Sequence, residues 1–431
     1  MITQALNLFH DAHSPLPRSA TILADLLASG GDERIALDSV SGRNRYGTTT
    51  RPAPEEIWLS SSTASAPTME GFAAAAEALE RSMVEGDDWL FDDIRCRLLA
   101  LYGISGSACV LTPSGTDAEL LVLGLAQLRT NRPILNLVVG PSETGSGVPL
   151  AAGGARYLST TPFGAGGAVG DHHAGLVHSA VRCIAVRESD GRPRTDEAIG
   201  AEAAGIIDEA LAAGAHVILH SVDATKTGRV ALSHATALEL IARAPDRIDC
   251  VIDACQLRAS PEIIRAYLAS DCMVMISGSK FASGPAFCGA LLLPSRFASL
   301  TGSLPPSLGD VSSVHDWPVE LRSSVSSLRV RRNLGLGLRW SAALAEIEAY
   351  THLPVGLLKQ ARRVFETIVK SHIEARPALS LVDPESRQAE RTIFSIIIDG
   401  DAGTPDGAKR IHRSLMAPVD GMFPRCHLGQ P

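Results

Sequence analysis

Two stretches of this chain carry residues that suit covalent chemistry. Val251-Ile252-Asp253-Ala254-Cys255-Gln256 sets a carboxylate at the end of an apolar run, and Ile276-Ser277-Gly278-Ser279-Lys280-Phe281 does the same for an amine. Lysine is scarce: Lys226, Lys280, Lys359, Lys370 and Lys409 stand among 39 basic residues, so basic surface is built mainly from arginine. A lysine among small residues, between an apolar strand and a glycine-containing loop, calls for its own reason, and Schiff-base chemistry is the leading one. A third segment, Pro113-Ser114-Gly115-Thr116-Asp117-Ala118-Glu119, falls where a strand turns into a helix, so its N–H groups and hydroxyls suit an anion. Each segment alone has a plainer reading. Ser114 is also an ordinary helix cap with Glu119 closing a capping box, Asp253 a turn or cap residue, and Lys280 a surface lysine. In conjunction they describe one site: a phosphate turn, a strand-end carboxylate that needs a buried cationic partner such as a protonated pyridine nitrogen, and an amine whose pKa a low-dielectric site lowers.

These residues need a scaffold, and the chain reads as one. From Ala108 onward short apolar runs alternate with amphipathic segments. Strands are expected at 108–111, 134–139, 182–186, 216–222, 250–252, 272–276 and 289–293, with helices at 116–128, 196–213, 234–244 and 260–268. That alternation predicts an α/β fold with a mostly parallel sheet covered by helices on both faces, whose ligands sit beyond the carboxyl ends of the strands. The first ninety residues read as an N-terminal arm with helices near 19–29 and 69–84, and a further helix spans 89–102. The large domain is drawn from 91 to 315, ending in a Pro/Gly/Ser-rich linker at 301–313. A smaller α+β C-terminal domain from 316 to 431 is expected to hold helices at 336–350, 355–375 and 406–416 and a strand at 392–398.

The three motifs, in this order and spacing, make the chain resemble the fold type I pyridoxal-phosphate (PLP) enzymes, in the cysteine desulfurase-like, class V aminotransferase branch, over roughly Ser60 to Pro294. The resemblance implies that Ser114, Gly115 and Thr116 bind cofactor phosphate, that Asp253 pairs with the pyridinium, and that Lys280 forms the internal Schiff base. It further implies that Gln256 approaches the phenolic oxygen, that Ser277 or Ser279 is a phosphate ligand, and that Asp223 or Thr225 supplies another polar contact. Two departures stand out. Where the branch has a ring-stacking histidine, Pro141-Ser142-Glu143-Thr144-Gly145 places Thr144, and Cys426 lacks the mobile-loop sequence that desulfuration needs. Low-lying candidates for substrate contact are Arg332, Arg391 and Tyr46.

Composition bounds the rest. At 431 residues and 45% hydrophobic, the chain can bury a large core, and a net charge of −8 offers no basic field for nucleic acid or an anionic membrane. The eight cysteines are scattered without C-x-x-C or metal-finger spacing, and no apolar run reaches membrane-span length. A cytoplasmic protein with reduced thiols is expected. Gly164–Gly170 reads as a flexible loop rather than a dinucleotide cradle, and His172, His173 and His178 lack the supporting ligands of a metal site. The expectation is a PLP-dependent transferase or lyase acting on a small amino-acid substrate, through a Schiff base and a carbanion delocalised into the ring. Elimination, replacement or carbon–carbon bond formation at the β or γ carbon is favoured, with a bulky or S-adenosylmethionine-like substrate, possible in the secondary metabolism typical of GC-rich genomes. Simple transamination and a non-catalytic binding protein are the alternatives, and a homodimer with shared sites is expected.

Overall fold

A seven-stranded sheet organises the molecule, in the order β2-β8-β7-β6-β5-β3-β4. The strands are β2 (Ala108–Thr112), β3 (Ile134–Val139), β4 (Ala180–Ile184), β5 (His216–Val222), β6 (Ile248–Ala254), β7 (Met273–Ser277) and β8 (Gly289–Leu293). All pairings are parallel except those of β8, which runs antiparallel to both β2 and β7. The computed structural model describes residues 18–164, 166–297, 300–383, 391–417 and 424–429.

Strands β3, β5, β7 and β8 are buried at every position, which is why their sequences run apolar without polar alternation. The two faces separate by the two-residue period of the strands. Val110, Val251, Met273, Met275 and Leu291 pack against helix α4 (Gly115–Arg129), whose residues 116–126 are all buried. Their alternates Leu111, Ile252, Val274, Ile276 and Leu292 join a second core. That core includes Ile199 and Ile207 of α6 (Asp196–Ala212), Leu240 of α7 (His234–Ile241) and Ile264 of α8 (Pro261–Ala269). Burial of a leucine or valine stabilises by roughly 1.5–3 kcal/mol, against about 1 kcal/mol for a helix cap. The packing of Leu120, Leu121, Leu123 and Leu125 therefore fixes where α4 lies, and Ser114 fixes where it begins.

The core is continuous across the divisions drawn from sequence at 90 and 315. Leu23 and Leu27 of α1 (Arg18–Leu27), Phe72 of α2 (Met69–Glu85), Leu90 and Ile94 of α3 (Asp87–Tyr102), and Leu336, Trp340 and Leu344 of α9 (Leu334–Thr351) all belong to the core that backs the sheet. The stretch 301–313 is no linker: Leu304, Leu308 and Val311 are buried against α4, and 3-10 turns at Pro306–Asp310 and Val314–Asp316 carry the chain on to buried Trp317. Polar composition misled there because three well-spaced apolar residues suffice to dock a segment otherwise made of turn formers. The glycine-rich loop is likewise tied down, with Gly167 N donating to Ser159 O (3.1 Å) and Gly170 N to Arg156 O (2.8 Å).

Beyond α9 lie α10 (Val355–Glu374), the antiparallel pair β9 (Leu379–Leu381) and β10 (Ile396–Ile398), and α11 (Pro405–Met416). The strand expected over 392–398 is thus confined to its last three residues. Three short strands escaped the sequence reading, β9 and the pair in which β1 (Ile57–Leu59) runs parallel to β11 (Cys426–Leu428), with the Trp58 ring stacked on His427 at 3.8 Å.

Candidate active site

The motif residues collect at the carboxyl ends of the strands, on the α4 face of the sheet. Thr112, Gly289 and Ser277 share one row across β2, β8 and β7. A Cβ on Gly289 would lie 2.8 Å from Thr112 Oγ1 and 3.3 Å from the Ser114 carbonyl carbon, so only glycine lets the 113–116 turn settle on the sheet. Above it, Ser114 Oγ accepts from Asp117 N (3.2 Å) and donates to Asp117 Oδ2 (2.7 Å). The cap is therefore closed by Asp117, three residues on, and not by Glu119. Glu119 points into the core, where its Oε2 lies 2.9 Å from His220 Nδ1, and His220 Nε2 lies 2.8 Å from Asn136 Oδ1. The N–H groups of Gly115 and Thr116, at the positive end of α4, are spent on no other described residue.

Neighbouring turns close over this helix start. A Cβ on Gly115 would meet Cys255 Sγ at 2.9 Å, and one on Gly145 would meet Thr116 Oγ1 at 3.2 Å. The phosphate-turn candidate, the loop carrying Thr144 and the end of β6 are thus in mutual contact. Asp253 Oδ1 accepts from Cys255 N (2.9 Å), which leaves Oδ2 without a partner among the described residues. Gln256 is clamped, with Nε2 donating to Ser62 O (3.0 Å) and Oε1 accepting from Arg258 (3.1 Å). Ser277 and Ser279 are buried with their hydroxyl oxygens 2.7 Å apart, Ser277 donating to Cys288 O (3.1 Å).

Lys280 follows directly and is half-buried; its carbonyl accepts from Ser283 N (3.2 Å), while its side-chain amine forms no hydrogen bond or ion pair with a described residue. Its charge is felt nearby: burial, and then Lys280, hold the Lys226 amine below its ordinary pKa. Burial pushes the Cys255 thiol well up, with the Asp253 carboxylate adding to the effect and Lys280 opposing it.

Other sequence candidates are placed differently. Thr144 is buried and donates from Oγ1 to Pro141 O at 3.3 Å. Asp223 accepts from Tyr267 of α8 (2.9 Å), on the other face of the sheet, and burial raises its pKa. Thr225 Oγ1 serves its own turn, accepting from Arg229 N (3.1 Å) and lying 3.1 Å from Thr227 Oγ1. Arg332 lies 3.5 Å from Asp88 at the start of α3, and Arg391 donates to Ile393 O (2.9 Å) and Asp383 O (2.8 Å). Tyr46 is enclosed beside Arg34, in a small cluster with Ile35 and Phe287. Cys426 is part of β11, and burial raises its thiol, so it stands on no loop.

Three residues at the site were not singled out from sequence. Tyr157 donates to Asp117 Oδ1 (2.6 Å), and the arm residue Arg34, paired with Asp32 at 2.7 Å, lies over Tyr157. Burial, with Asp32 adding to it, pushes Asp117 up to about 6. Arg258 lies 4.8 Å over the ring of Phe281, the residue after Lys280. Only the last carried a sequence signal, standing two residues after Gln256. Among the described residues no group of three or more His, Cys, Asp or Glu is placed to hold a metal, and His172 stacks on His178 at 3.7 Å.

The chain has the fold of the fold type I PLP enzymes. It is similar to the cysteine desulfurase CsdA of Escherichia coli in its S-sulfonic acid form, with a TM-score of 0.53 and 13% identity over 84% of this chain and 81% of that one. A C-DES mutant with glycine covalently linked to its PLP cofactor gives a TM-score of 0.54 and 12% identity over 84% and 87%. Oryza sativa TDC with PLP and tryptamine gives 0.50 and 13% over 83% and 74%. No protein-family model matches the chain, and no curated protein matches it by sequence.

Proposed function

We propose that this chain is a pyridoxal-phosphate enzyme that carries its cofactor on Lys280 and acts on a small amino-acid substrate. The observation that carries the reading is the pairing, at one set of strand ends, of an unpartnered half-buried lysine with a strand-end carboxylate that has one free oxygen. The residues fit the group. The N–H groups of Gly115 and Thr116 are spent on no other described residue, and the buried hydroxyl of Thr112, at the end of β2, lacks a partner among the described residues. When bound, the cofactor supplies an electron sink for a bond broken at the carbon bearing the amine.

The chain's own residues divide the remaining work. Gly115, Thr116 and Ser279 hold the phosphate, Ser279 by turning its hydroxyl away from Ser277. Asp253 would accept the pyridine N–H through its second oxygen and hold that nitrogen protonated, since a buried carboxylate is compensated by a cation. Gln256, held by Ser62 and Arg258, offers its amide to the phenolic oxygen. Lys280, its amine freed for proton transfer, would be the base and acid at the substrate carbons. Bond making or breaking beyond the amino group is favoured over transamination because Thr144 leaves one ring face without an imidazole. The expected stoichiometry is turnover without accumulation of pyridoxamine phosphate.

The reading is tested by reconstituting the protein with PLP, reducing with borohydride and mapping the label. A visible band lost on reduction and a modified Lys280 peptide are expected, and K280A should give neither. A colourless wild type, or a K280A protein with intact turnover, overturns the reading and leaves a non-catalytic binding protein. We further propose a homodimer, the expectation that goes with this fold's shared sites.

A further inference from the structure

Asp117 is an acid set where another anion has to dock. It stands in the first turn of α4, three residues after the cap Ser114, and is buried at 1% exposure. No cation among the described residues forms an ion pair with it. Two hydroxyls hold the carboxylate instead: Ser114 Oγ donates to Oδ2 (2.7 Å), and Tyr157, in the loop leading to β4, donates to Oδ1 (2.6 Å). A Cβ on Gly147 would lie 2.8 Å from the Tyr157 side chain, so that side chain is fixed in place. The charged groups facing Asp117 from the N-terminal arm are Asp32 and Arg34, with Tyr46 beside Arg34; Arg34 is committed to Asp32 at 2.7 Å and reaches only the Tyr157 hydroxyl, at 3.4 Å. Burial first, and then the Asp32 charge, push the Asp117 carboxyl up to about 6, against the opposing pull of Ser114, Tyr157 and Arg34.

A phosphate dianion on the N–H groups of Gly115 and Thr116 would dock one or two residues away from this carboxylate. Two like charges sharing a water-poor site do not both stay ionised, and the group nearer its own pKa gives way. The two anions also compete for one hydrogen, because the Ser114 hydroxyl expected to serve the phosphate is spent on Asp117 Oδ2. Resting on the reading that this turn holds the cofactor phosphate, we propose that Asp117 takes up a proton as the phosphate docks and that the hydrogen bond between Ser114 and Asp117 then reverses. The proton comes from water, by way of the part-exposed Ser114, and settles on Oδ2. The neutral carboxyl donates to Ser114 Oγ, and the Ser114 hydrogen turns to a phosphate oxygen. No other bond forms or breaks. Ser114 Oγ still accepts from Asp117 N (3.2 Å), since a hydroxyl has two acceptor sites, so the helix cap survives the exchange. Asp117 is thus a positioning residue whose protonation frees Ser114 for the cofactor.

The test is a titration of PLP into the full-length apo protein, followed by its visible band from about pH 5.5 to 8.5, for wild type and D117N. D117N keeps the hydrogen-bond pattern of the neutral acid, its amide donating to Ser114 and its carbonyl accepting from Tyr157. Proton release at Lys280 and titration of the phosphate are common to both proteins, so the ratio of their dissociation constants, wild type over D117N, isolates position 117. That ratio should be flat below about pH 6 and rise about tenfold per pH unit above it. Calorimetry near pH 7.5, in two buffers of different ionisation enthalpy, should show the wild type taking up about one proton more per PLP than D117N. A ratio that does not change with pH, or equal proton counts, overturns the proposal. Borohydride labelling of Lys280 near pH 6 separates that result from failure of the cofactor reading: a wild type that labels but gives a flat ratio loses only the proton coupling, and one that neither binds PLP nor labels loses both. If D117N is not recovered folded, Y157F carries the test. With one donor to the carboxylate removed, the pH above which PLP affinity falls should move upward from that of the wild type, and parallel profiles overturn the proposal.

Discussion

At the residue scale, the chemistry rests on side chains whose neighbours leave them something to do. Asp253 keeps one oxygen free because Cys255 N takes only the other. D253N preserves that turn contact and removes the charge, so it should still bind PLP and still be labelled at Lys280, while turnover falls by about 100-fold or more. Rates within a few-fold of wild type would show that the ring nitrogen needs no acid partner here. Asp253, Lys280 and Gln256 were legible in sequence because each ends or follows an apolar strand, where a polar residue stands out. Asp223 was misplaced by the same logic: the residue after a strand may turn to either face, and the Tyr267 hydroxyl draws it across. Arg258 was passed over although it stands two residues after Gln256, because one arginine in an arginine-rich chain draws little notice.

At the scale of elements, most strand and helix positions were legible, because uninterrupted apolar runs and 3.6-residue periodicity persist through this core. The short pieces were not: β1, β9 and β11 have three residues each, too few for any period. Two predictions belong here. S114A removes the cap of α4 and the contact to Asp117, and should cost about 1 kcal/mol in urea unfolding as well as weakening PLP; an unchanged midpoint would show that packing alone sets the helix start. Fully buried Asp316 lies in the 3-10 turn after the supposed linker, with Ser313 N donating to it at 2.7 Å, and burial pushes it up to about 7. A carboxyl raised in the folded state favours folding below its unfolded pKa near 4, and that advantage disappears as pH climbs through 7. Asp117, raised to about 6 by burial, acts in the same direction. The difference in unfolding free energy between wild type and D316N should therefore shrink as pH rises from 5 to 8, by an amount on the order of 4 kcal/mol at most. Parallel slopes in the two proteins would refute the assignment.

For the molecule as a whole, the contacts between its parts converge on the site. Arg187, after β4, donates to Asp383 (2.9 and 3.1 Å), to Thr227 (2.9 Å) and to Glu143, the residue before Thr144. Burial works to raise the Asp383 carboxyl, but Arg187 holds it below its ordinary range. R187M should loosen β9 and β10, read as faster amide exchange there, and should weaken PLP through the Thr144 loop; unchanged exchange would mean the tie is idle. The proposed dimer is checked by light scattering at working concentration, where a monomer would count against shared sites. Among the described residues, no helix is long and apolar enough to cross a membrane.

The pairing of β1 with β11 has a consequence for how the chain matures. Glu56 receives His427 at 2.7 Å across 371 positions of sequence. On the ribosome the arm must wait until residue 427 has emerged before Trp58 finds its stacking partner. Ser61 and Ser62, a few residues along that same arm, reach Arg258 and Gln256, so the arm that touches the candidate site is also the one that waits for β11. Nascent chains halted short of residue 424 should lack that closure however complete their central sheet.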